Sequence, residues 1–428
     1  MKKTDQNDEK TWDVAVIGGG PAGMMCAGRA GELGVKVILI EKNQSLGKKL
    51  LITGGGRCNV TNAEENLRIF LSKFKKNDKF LFSAFSQYGV KETLDFFHNH
   101  KMETKVENEK RVFPKSNTAR SVFEVMVDYL KAGKVKVISN SPVMRLVKQG
   151  DKIQSIILKS GQEIRARSFV IACGGKSRPE TGSSGDGFTW MKNFGHTVSE
   201  PSSALVPIAI YEPWARSAPG VSLPLVKITT FQNNVKQGVM KGKILFTHFG
   251  LSGPAILNMS HDIGELLKYG KVTISLDLLP TTDQGDLNKK LQQIFIEQRS
   301  KKFKNSLIGI LPSALRPIIV KLSNIDPEKA CHNVTREERL LIVKLIKDLR
   351  MDVKRLLGTD KAVVTSGGVN LKEIDFKTMQ SRIVPNLYIV GDMLDIDRPT
   401  GGYSLQICWT TGFVAGTVTA SLKKIRKV

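Results

Sequence analysis

A strand–turn–helix–strand pattern at residues 12–41 constrains the fold of this chain more than any other feature of its sequence. The segment reads WDVAVIGGGPAGMMCAGRAGELGVKVILIE, in which an apolar run, a glycine-rich turn, a small-residue helix and a second apolar run lead to an acid. A glycine-rich turn alone is weak evidence, but here all the parts of a dinucleotide-binding βαβ unit occur in the required order. We therefore predict an α/β, Rossmann-like domain that binds a nucleotide.

Each part of this pattern has a physical role. Gly18 permits the tight turn, and Gly20 lets a pyrophosphate approach the backbone. Gly23 lets the helix pack close to the strand, and the free amides and positive dipole end of that helix attract phosphate. Glu41 closes the second strand, where its carboxylate accepts hydrogen bonds from a ribose 2′-hydroxyl and disfavours a 2′-phosphate. The pattern thus predicts FAD or NAD rather than NADP.

Length and composition indicate a globular, cytoplasmic protein. A chain of 428 residues exceeds one ordinary core and is expected to form about two or three domains. No apolar run approaches the roughly 20 residues of a membrane span, and residues 1–13 lack the apolar region of a secretory signal. The 5 cysteines include no CxxC pair and the 6 histidines show no metal-binding spacing, so we predict neither a disulfide framework nor a metal site.

The net charge of +25, with a pI near 9.8, is the second strong feature of the sequence. Such an excess attracts polyanions, usually nucleic acid and less often an anionic membrane surface. Residues 284–361 contribute to it with 17 Lys and Arg against 9 Asp and Glu. A lysine-rich proteome can produce the same excess without any partner. The charge favours nucleic acid as a partner, while a small-molecule substrate remains the alternative; no membrane partner is predicted.

Changes of pattern divide the chain into four segments. Residues 1–200 predict the first part of the nucleotide-binding domain. Residues 201–283 contain short strands separated by proline and glycine, which predict an inserted β subdomain. Residues 284–357 carry apolar stripes at helical spacing and a basic opposite face, which predict an inserted helical subdomain. Residues 358–428 return to strand and glycine and predict the second part of the first domain.

Several elements follow from the periodicity within these segments. Helices are predicted at residues 66–74, 91–98 and 118–132, and an antiparallel meander at 143–172 that ends in a buried strand. The sequence REERLLIVKLIKDLRMDVKRLL at residues 336–357 is predicted to be helical throughout. A further helix is expected from about Leu405.

Glycines near the C-terminus are placed for a second contact with the same nucleotide. Gly391 and Asp392 follow the apolar strand LYIV, so the carboxylate can accept a ribityl hydroxyl while the glycine lets the chain pass close. Gly401-Gly402 opens a helix and aims its amides and dipole at the negative charge of a reduced flavin. The segment Ala172-Cys173-Gly174-Gly175 is expected to pass near the pyrophosphate. Together these features favour FAD.

The sequence TGGGRCN at residues 53–59 predicts a loop whose backbone contacts the cofactor. Gly55 and Gly56 leave the backbone accessible, and Arg57 can hold an anion or phosphate through two parallel hydrogen bonds. Cys58 is a candidate proton donor, but a small buried residue is the favoured interpretation.

The motifs GGGPAG, TGGGRCNVTN, FVIACGG, TGSSGDGF, ILFTHFGLSGPAIL, VTSGGV and VGDMLD…TGGYSLQ resemble the YhiN/BaiN-like family of bacterial FAD-dependent oxidoreductases. The resemblance extends from about Trp12 to Gly416. It implies an FAD fold of the two-dinucleotide type, without a dedicated NAD domain, and with an inserted β-barrel and helical subdomain. This chain departs from the family at Asp392, where Glu is common, and at Arg398 and Ser404, where Gly and Asn are common.

Members of this family have mixed activities, so the resemblance implies two hypotheses, to which we add a third. The first is reduction of a uracil in ribosomal RNA to dihydrouridine, with a hydride from flavin N5 to C6 and a proton to C5. The second is a small-molecule oxidoreductase, such as an aminoacetone-type amine oxidase or an enone or steroid reductase. The third is a non-catalytic flavin-containing RNA-binding protein. NAD(P)H is expected to bind transiently as the electron donor, since no second nucleotide fingerprint occurs.

Two sets of site residues result. The candidate proton donors are Cys58, His248 and Tyr403. The predicted cofactor-binding residues are Gly18, Gly20, Ala22, Gly23, Glu41, Lys42, Gly55, Gly56, Arg57, Cys58, Ala172, Gly174, Gly391, Asp392, Gly401, Gly402 and Tyr403.

Overall fold

The structure is a computed structural model that describes residues 11–74, 77–357 and 364–425. The chain divides into two compact units. The first, here called the Rossmann unit, comprises Met1–Ser203 and Val363–Val428. The second, the barrel unit, comprises Ala204–Ala362. The boundaries predicted from sequence, at residues 200, 283 and 357, remain predictions.

The elements alternate between strand and helix in the order expected for an α/β fold. The first part of the chain contains β1 Trp12–Ile17, α1 Pro21–Glu32, β2 Val37–Ile40, α2 Lys48–Ile52, β3 Thr61–Asn62, α3 Leu67–Ser72, α4 Asp78–Gln87, α5 Val90–Asn99, β4 Thr104–Glu107, β5 Arg111–Pro114, α6 Ala119–Ala132, β6 Lys136–Ile138, β7 Val143–Gln149, β8 Lys152–Leu158, β9 Glu163–Ile171, α7 Asp186–Asn193 and β10 Val198–Ala204. The barrel unit contains β11 Ile208–Ile210, β12 Ser222–Gln232, β13 Val235–Thr247, β14 Gly250–Ser252, α8 Pro254–Leu267, β15 Val272–Asp277, α9 Gln284–Glu297, α10 Arg316–Ser323, α11 Arg336–Lys347 and β16 Leu349–Leu356. The chain ends with β17 Val364–Val369, β18 Leu387–Ile389 and α12 Tyr403–Ile425.

A parallel sheet forms the centre of the Rossmann unit, with strands in the order β6-β2-β1-β9-β18. Val14, Val16 and Phe169 are fully buried within it, as expected for strands covered on both faces. The antiparallel meander β7-β8-β9 continues from the first half of β9. The predicted Rossmann-like architecture is confirmed.

Helices α1 and α12 pack closely in the Rossmann unit because glycines lie at their contact. A Cβ on Gly412 would lie 2.5 Å from the Ala22 carbonyl oxygen, and one on Gly416 would lie 2.5 Å from the Cys26 carbonyl oxygen. This contact fixes the end of β18 and the start of α12 close to the turn that follows β1.

A closed six-stranded barrel, β11-β14-β13-β12-β15-β16, forms the core of the barrel unit. Every neighbouring pair is antiparallel, and Ile228, Ile244, Phe246 and Ile274 are fully buried in the core. Helices α9, α10 and α11 connect β15 to β16 and share the same hydrophobic core. The predicted inserted barrel and helical subdomain are confirmed.

The helix predicted over residues 336–357 is wrong in its second half. Helix α11 ends at Lys347, and Leu349–Leu356 is the strand that closes the barrel. Leu349, Met351 and Val353 are buried while the residues between them face outward, which is the period of a strand. Pairing with β11 and β15 supplies the hydrogen bonds, so tertiary context overrides the helical stripe.

Candidate cofactor site

A cleft of ≈ 880 Å³ opens in the Rossmann unit where the parallel strands β1, β2 and β9 end. Ligands of open α/β sheets bind at this edge, because helix N-termini and flexible turns meet there. The predicted site residues that line the cleft are Gly18, Gly20, Ala22, Glu41, Lys42, Ala172, Gly174 and Asp392.

The glycines in and near the turn after β1 are required for different structural reasons. Gly18 has φ +105°, and a Cβ on it would lie 2.5 Å from the Ala172 carbonyl oxygen. A Cβ on Gly23 would lie 1.9 Å from the Gly18 carbonyl oxygen. Around a Cβ on Gly20, by contrast, no atom of the described chain lies within 4 Å. Gly18 and Gly23 are required for packing, whereas Gly20 leaves the backbone open toward the cleft, which fits a pyrophosphate.

Glu41 is buried at the end of β2 and holds the turn in place. Its Oε2 accepts a hydrogen bond from the Gly19 amide at 2.8 Å. Its Oε1 accepts from the Asn43 amide at 2.8 Å and from the Asn43 side chain at 2.7 Å. Since each carboxylate oxygen can accept two hydrogen bonds, Oε2 retains one acceptor site for a ribose hydroxyl.

Lys42 connects β2 to the TGSSGDGF segment. Its Nζ donates to the Ser184 hydroxyl and lies 3.0 Å from Asp186 Oδ2, and both of these residues line the cleft. Burial raises the pKa of Asp186, but the hydrogen bond from Ser184 and the Lys42 ammonium outweigh it, so the pKa is lowered. Lys42 thus joins two sides of the cleft through an ion pair.

Asp392, the predicted partner of the ribityl chain, lines the cleft and lies between two cations. Lys49 Nζ lies 3.3 Å from its Oδ2, and Arg398 Nη1 lies 3.5 Å from its Oδ1. Burial alone would raise the pKa of Asp392, but Lys49 and Arg398 outweigh this effect and hold the pKa below its usual value. Its Oδ1 is buried and accepts no hydrogen bond from the residues that the structure describes. A buried acceptor without a donor fits a ligand hydroxyl.

The TGGGRCN residues do not line the cleft. Arg57 Nη2 donates to Glu107 Oε1 at 2.5 Å and to Asn117 Oδ1 at 2.7 Å, and its guanidinium stacks over Phe113. These contacts engage Nη2, one of the three nitrogens of the guanidinium, and the contact of Arg57 with an anion stays a prediction. Gly55 and Gly56 leave open space where a Cβ would be. Cys58 is fully buried, and this burial raises the pKa of its thiol to about 12.

Gly402 serves packing at the start of α12. A Cβ on it would lie 2.3 Å from the Thr61 backbone, and the Gly401 carbonyl accepts a hydrogen bond from Asn62. Tyr403 follows and packs against Phe70, with ring centroids 4.8 Å apart. Burial raises the pKa of Tyr403, so the phenol stays protonated at neutral pH. A contact of these residues with the flavin stays a prediction.

His248 lies in the barrel unit, in the turn between β13 and β14, where it is exposed and contacts the Phe249 ring edge-on. Cys58 is buried, Tyr403 is mostly buried, and His248 is exposed, so the candidate proton donors occupy three different environments. Their catalytic roles remain predictions.

The sequence-based interpretation missed several residues of the cleft. Asn43, Lys49, Ser183 and Asp186 line it, and Arg398 pairs with Asp392 behind its wall. The TGSSGDGF motif was the available signal for Ser183 and Asp186. Lys49 gave no local signal, because its partners Ser177 and Asp392 are distant in sequence.

The HI0933-like protein Rossmann domain family matches residues 12–418, which is nearly the whole chain. The chain belongs to this family. The resemblance drawn from the sequence motifs is thereby confirmed.

Curated relatives of this family member include two with different substrates in their names. The 3-dehydro-bile acid delta(4,6)-reductase of Clostridium scindens is 29% identical over 413 residues, which are 95% of this chain and 98% of the relative. The ribosomal RNA dihydrouridine synthase of Escherichia coli is 30% identical over 411 residues, which are 94% of this chain and 96% of the relative. The match along both full lengths extends to the barrel unit.

Solved structures show the same fold at low sequence identity. A flavocytochrome c3 fumarate reductase has a TM-score of 0.54 at 15% identity, over 96% of this chain and 78% of that chain. The 3-ketosteroid delta1-dehydrogenase of Sterolibacterium denitrificans has a TM-score of 0.55 at 14% identity, over 96% of this chain and 100% of that chain.

This family member is an FAD-dependent oxidoreductase. The cleft fits the cofactor: the open backbone at Gly20 would hold the pyrophosphate, Glu41 a ribose hydroxyl and Asp392 the ribityl chain. When bound, FAD supplies hydride transfer. In the described parts of the chain, no helix is long and apolar enough to cross a bilayer, and no group of three or more His, Cys, Asp or Glu could hold a metal ion.

Proposed function

We propose that this oxidoreductase reduces a uracil base in ribosomal RNA to dihydrouracil, with NAD(P)H as a transient electron donor. The two relatives match almost equally well, so their names alone do not decide the substrate. The observation that supports RNA is the net charge of +25, because a polyanionic substrate needs a basic protein surface and a small steroid does not. A ribosomal substrate also implies a cytoplasmic enzyme.

The reduction adds a hydride at C6 of the uracil ring and a proton at C5. FAD, once reduced by NAD(P)H, would supply the hydride, and the protein would supply the proton. Burial keeps the Cys58 thiol and the Tyr403 phenol protonated at neutral pH, so either retains a proton to donate. His248 is the exposed alternative. The base must leave its stack to reach a flavin, which is least costly in a single-stranded or looped region.

Mapping of dihydrouridine in ribosomal RNA tests the proposal. A strain that lacks this protein should lose dihydrouridine at one or a few positions, and the purified, FAD-loaded enzyme with NAD(P)H should restore it on RNA from that strain. An unchanged pattern in the deletion strain would rule the proposal out. Asp392→Asn should fail to restore the modification in proportion to its loss of bound FAD.

A second candidate is reduction of a ring double bond in a steroid-like enone. It is supported by the relative named a bile acid reductase, which matches 95% of this chain. Oxidation of NADH or NADPH that depends on added 3-oxo-Δ4 steroid, with no change in ribosomal RNA, would favour this candidate over the first.

A further inference from the structure

A second crevice lies in the Rossmann unit, beside helix α4 and the segment after β17. It is open to solvent, has a volume of ≈ 880 Å³, and is lined by Lys79, Phe80, Lys372, Ile374, Phe376 and Arg382, together with Leu371. Among the described residues, the two lining sets have no member in common, so this crevice is a separate surface from the cofactor cleft.

The crevice is basic. Lys79 and Lys372 are both exposed, and neither side chain forms an ion pair with a carboxylate in the part of the chain that the structure describes. Arg382 Nη2 lies 3.3 Å from Asp375 Oδ2. This ion pair uses only part of the guanidinium, so other N–H donors of Arg382 are directed elsewhere. Lys377 Nζ lies 5.8 Å from the centre of the Phe376 ring. An occupant of this crevice therefore meets more positive than negative charge.

The crevice is also aromatic. Phe376 exposes 37% of its surface, and Phe80 is half-buried beside the same space. Ile374 is almost fully buried and forms the floor. Flat apolar rings next to unpaired ammonium groups are the combination with which proteins hold single-stranded nucleic acid.

The segment that carries Phe376 is held in place. Asp375 Oδ1 accepts hydrogen bonds from the Lys377 amide at 2.9 Å and from the Thr378 amide at 3.1 Å. Buried His196 contacts Glu373 at 3.0 Å and Ser381 at 2.9 Å on either side of this turn. The ring is thus presented by an ordered turn, which lowers the entropy cost of binding.

We propose that this crevice binds a single-stranded segment of RNA, with a base against Phe376 and Phe80 and phosphates on Lys79, Lys372 and Arg382. The inference rests on the proposed function, since it assigns the surface that holds the RNA substrate. Lysines without acidic partners favour a polyanion over a protein segment, whose docking surface would need complementary carboxylates or a larger apolar area.

Binding of a fluorescent oligouridine to the full-length, FAD-loaded protein tests the assignment. Phe376→Ala should weaken binding about tenfold, because stacking on one aromatic ring contributes that much or more. The double variant Lys79→Gln/Lys372→Gln should lower the slope of log Kd against log salt by about 1.4, because each phosphate contact on a single strand contributes about 0.7.

Matched controls keep the test specific. Phe82→Ala removes a ring of α4 that is 49% exposed, against 37% for Phe376, and that lies outside the lining of the crevice. Lys148→Gln/Lys152→Gln removes two exposed lysines of the β7–β8 hairpin and changes the net charge by the same amount. Both controls should bind oligouridine within about twofold of the wild type, allowing for the general loss of charge. Retained FAD absorbance and an unchanged unfolding midpoint establish that each variant folds.

The outcomes separate this inference from the proposed function. Crevice variants that bind oligouridine like the controls would overturn the inference, even if the wild type modifies ribosomal RNA. Binding that depends on Phe376 but on neither lysine nor salt would identify an apolar partner and overturn the RNA assignment. If oligouridine binding falls as expected but ribosomal RNA carries no dihydrouridine made by this protein, the RNA site stands and the proposed function fails.

Discussion

Gly20 in the cofactor cleft and Gly253 in the barrel unit use the absence of a side chain in opposite ways. Gly20 keeps space free, since no described atom lies within 4 Å of where its Cβ would be. Gly253 follows β14 and lets the chain lie against β13, because a Cβ there would lie 2.8 Å from the Ile244 Cα. The difference teaches that a ligand site is built by leaving backbone uncovered, whereas the filled barrel core supplies a scaffold.

Because the cleft wall contains buried charges, we expect the largest effect of a substitution there. Arg398 has no exposed side-chain surface, and its Nη2 donates to the carbonyls of Gly391 at 3.1 Å and Leu394 at 3.0 Å. Arg398→Met leaves these carbonyls without that donor and removes one of the two cations beside Asp392. We expect the free energy of unfolding to fall by about 3–5 kcal/mol, the usual cost of breaking a buried pair, and bound FAD to be lost.

Urea unfolding of the apoprotein and the ratio of flavin to protein absorbance measure the two effects. Arg120→Met is the matched control, because Arg120 forms an exposed pair with Glu124 whose removal should change stability by less than about 1 kcal/mol. Equal unfolding curves for the two variants would show that the buried guanidinium contributes nothing to the cleft.

Substitution of a packing glycine should lower stability by a similar amount in the two units. Gly23→Ala forces a Cβ toward the Gly18 carbonyl oxygen, and Gly253→Ala also strains a φ of +95°. Each should destabilise its own unit by about 1–3 kcal/mol, the typical cost of overpacking. Hydrogen exchange should rise around β1 and α1 in the first variant and within residues 204–357 in the second. Unchanged hydrogen exchange at both places would contradict the packing role.

Substitution of Gly20, which has open space around it, should have a different effect from substitution of Gly23 or Gly253. Gly20 has φ −81°, which alanine adopts without strain, so Gly20→Ala should leave the apoprotein as stable as the wild type or slightly more so. Its methyl group would, however, project into space assigned to the pyrophosphate. We expect the Kd for FAD to rise about tenfold or more, which corresponds to about 1.4 kcal/mol. Unchanged FAD affinity, measured by fluorescence titration, would place the pyrophosphate elsewhere.

Local patterns made the Rossmann part of the fold predictable. The turn after β1, the acid after β2 and the glycine after β18 each lie next to a buried strand, so a short window of sequence contains the strand and the site residue together. The fold class is confirmed on this basis. Predicted helices at 66–74, 91–98 and 118–132 correspond to α3, α5 and α6.

Features set by distant pairing were not predictable in the same way. Strand β16 carries an apolar stripe that fits a helix, and only its pairing with β11 and β15 makes it a strand. The cations around Asp392 come from α2 and from the loop before α12, so no spacing in the sequence announces them. The Glu107 partner of Arg57 lies 50 residues away in sequence, so no local pattern indicates it, whereas the burial of Cys58 agrees with the favoured interpretation of the sequence.

A buried histidine outside both regions should give the smallest effect, seen as pH dependence. Burial lowers the pKa of His196, although Glu373 beside it acts in the opposite direction. The native state therefore binds a proton less readily than the unfolded chain, whose histidine has a pKa of about 6.5. The contribution of His196 to stability is complete above that pH and is lost as the pH falls toward the lower, folded value. The pKa of Glu373 is also lowered, and its contribution is lost only at lower pH.

His196→Gln removes this titration and one pair of buried hydrogen bonds. We expect about 1 kcal/mol less stability at pH 7.5, the contribution of about one buried hydrogen bond, and a flatter dependence of the free energy of unfolding on pH below about 6.5. The control His98→Gln alters an exposed histidine on α5 and should keep the wild-type slope. A steeper pH dependence of the free energy of unfolding in His196→Gln than in the wild type would contradict a buried neutral histidine. Because His196 holds the turn that presents Phe376, the same result would also contradict the ordered turn that depends on it.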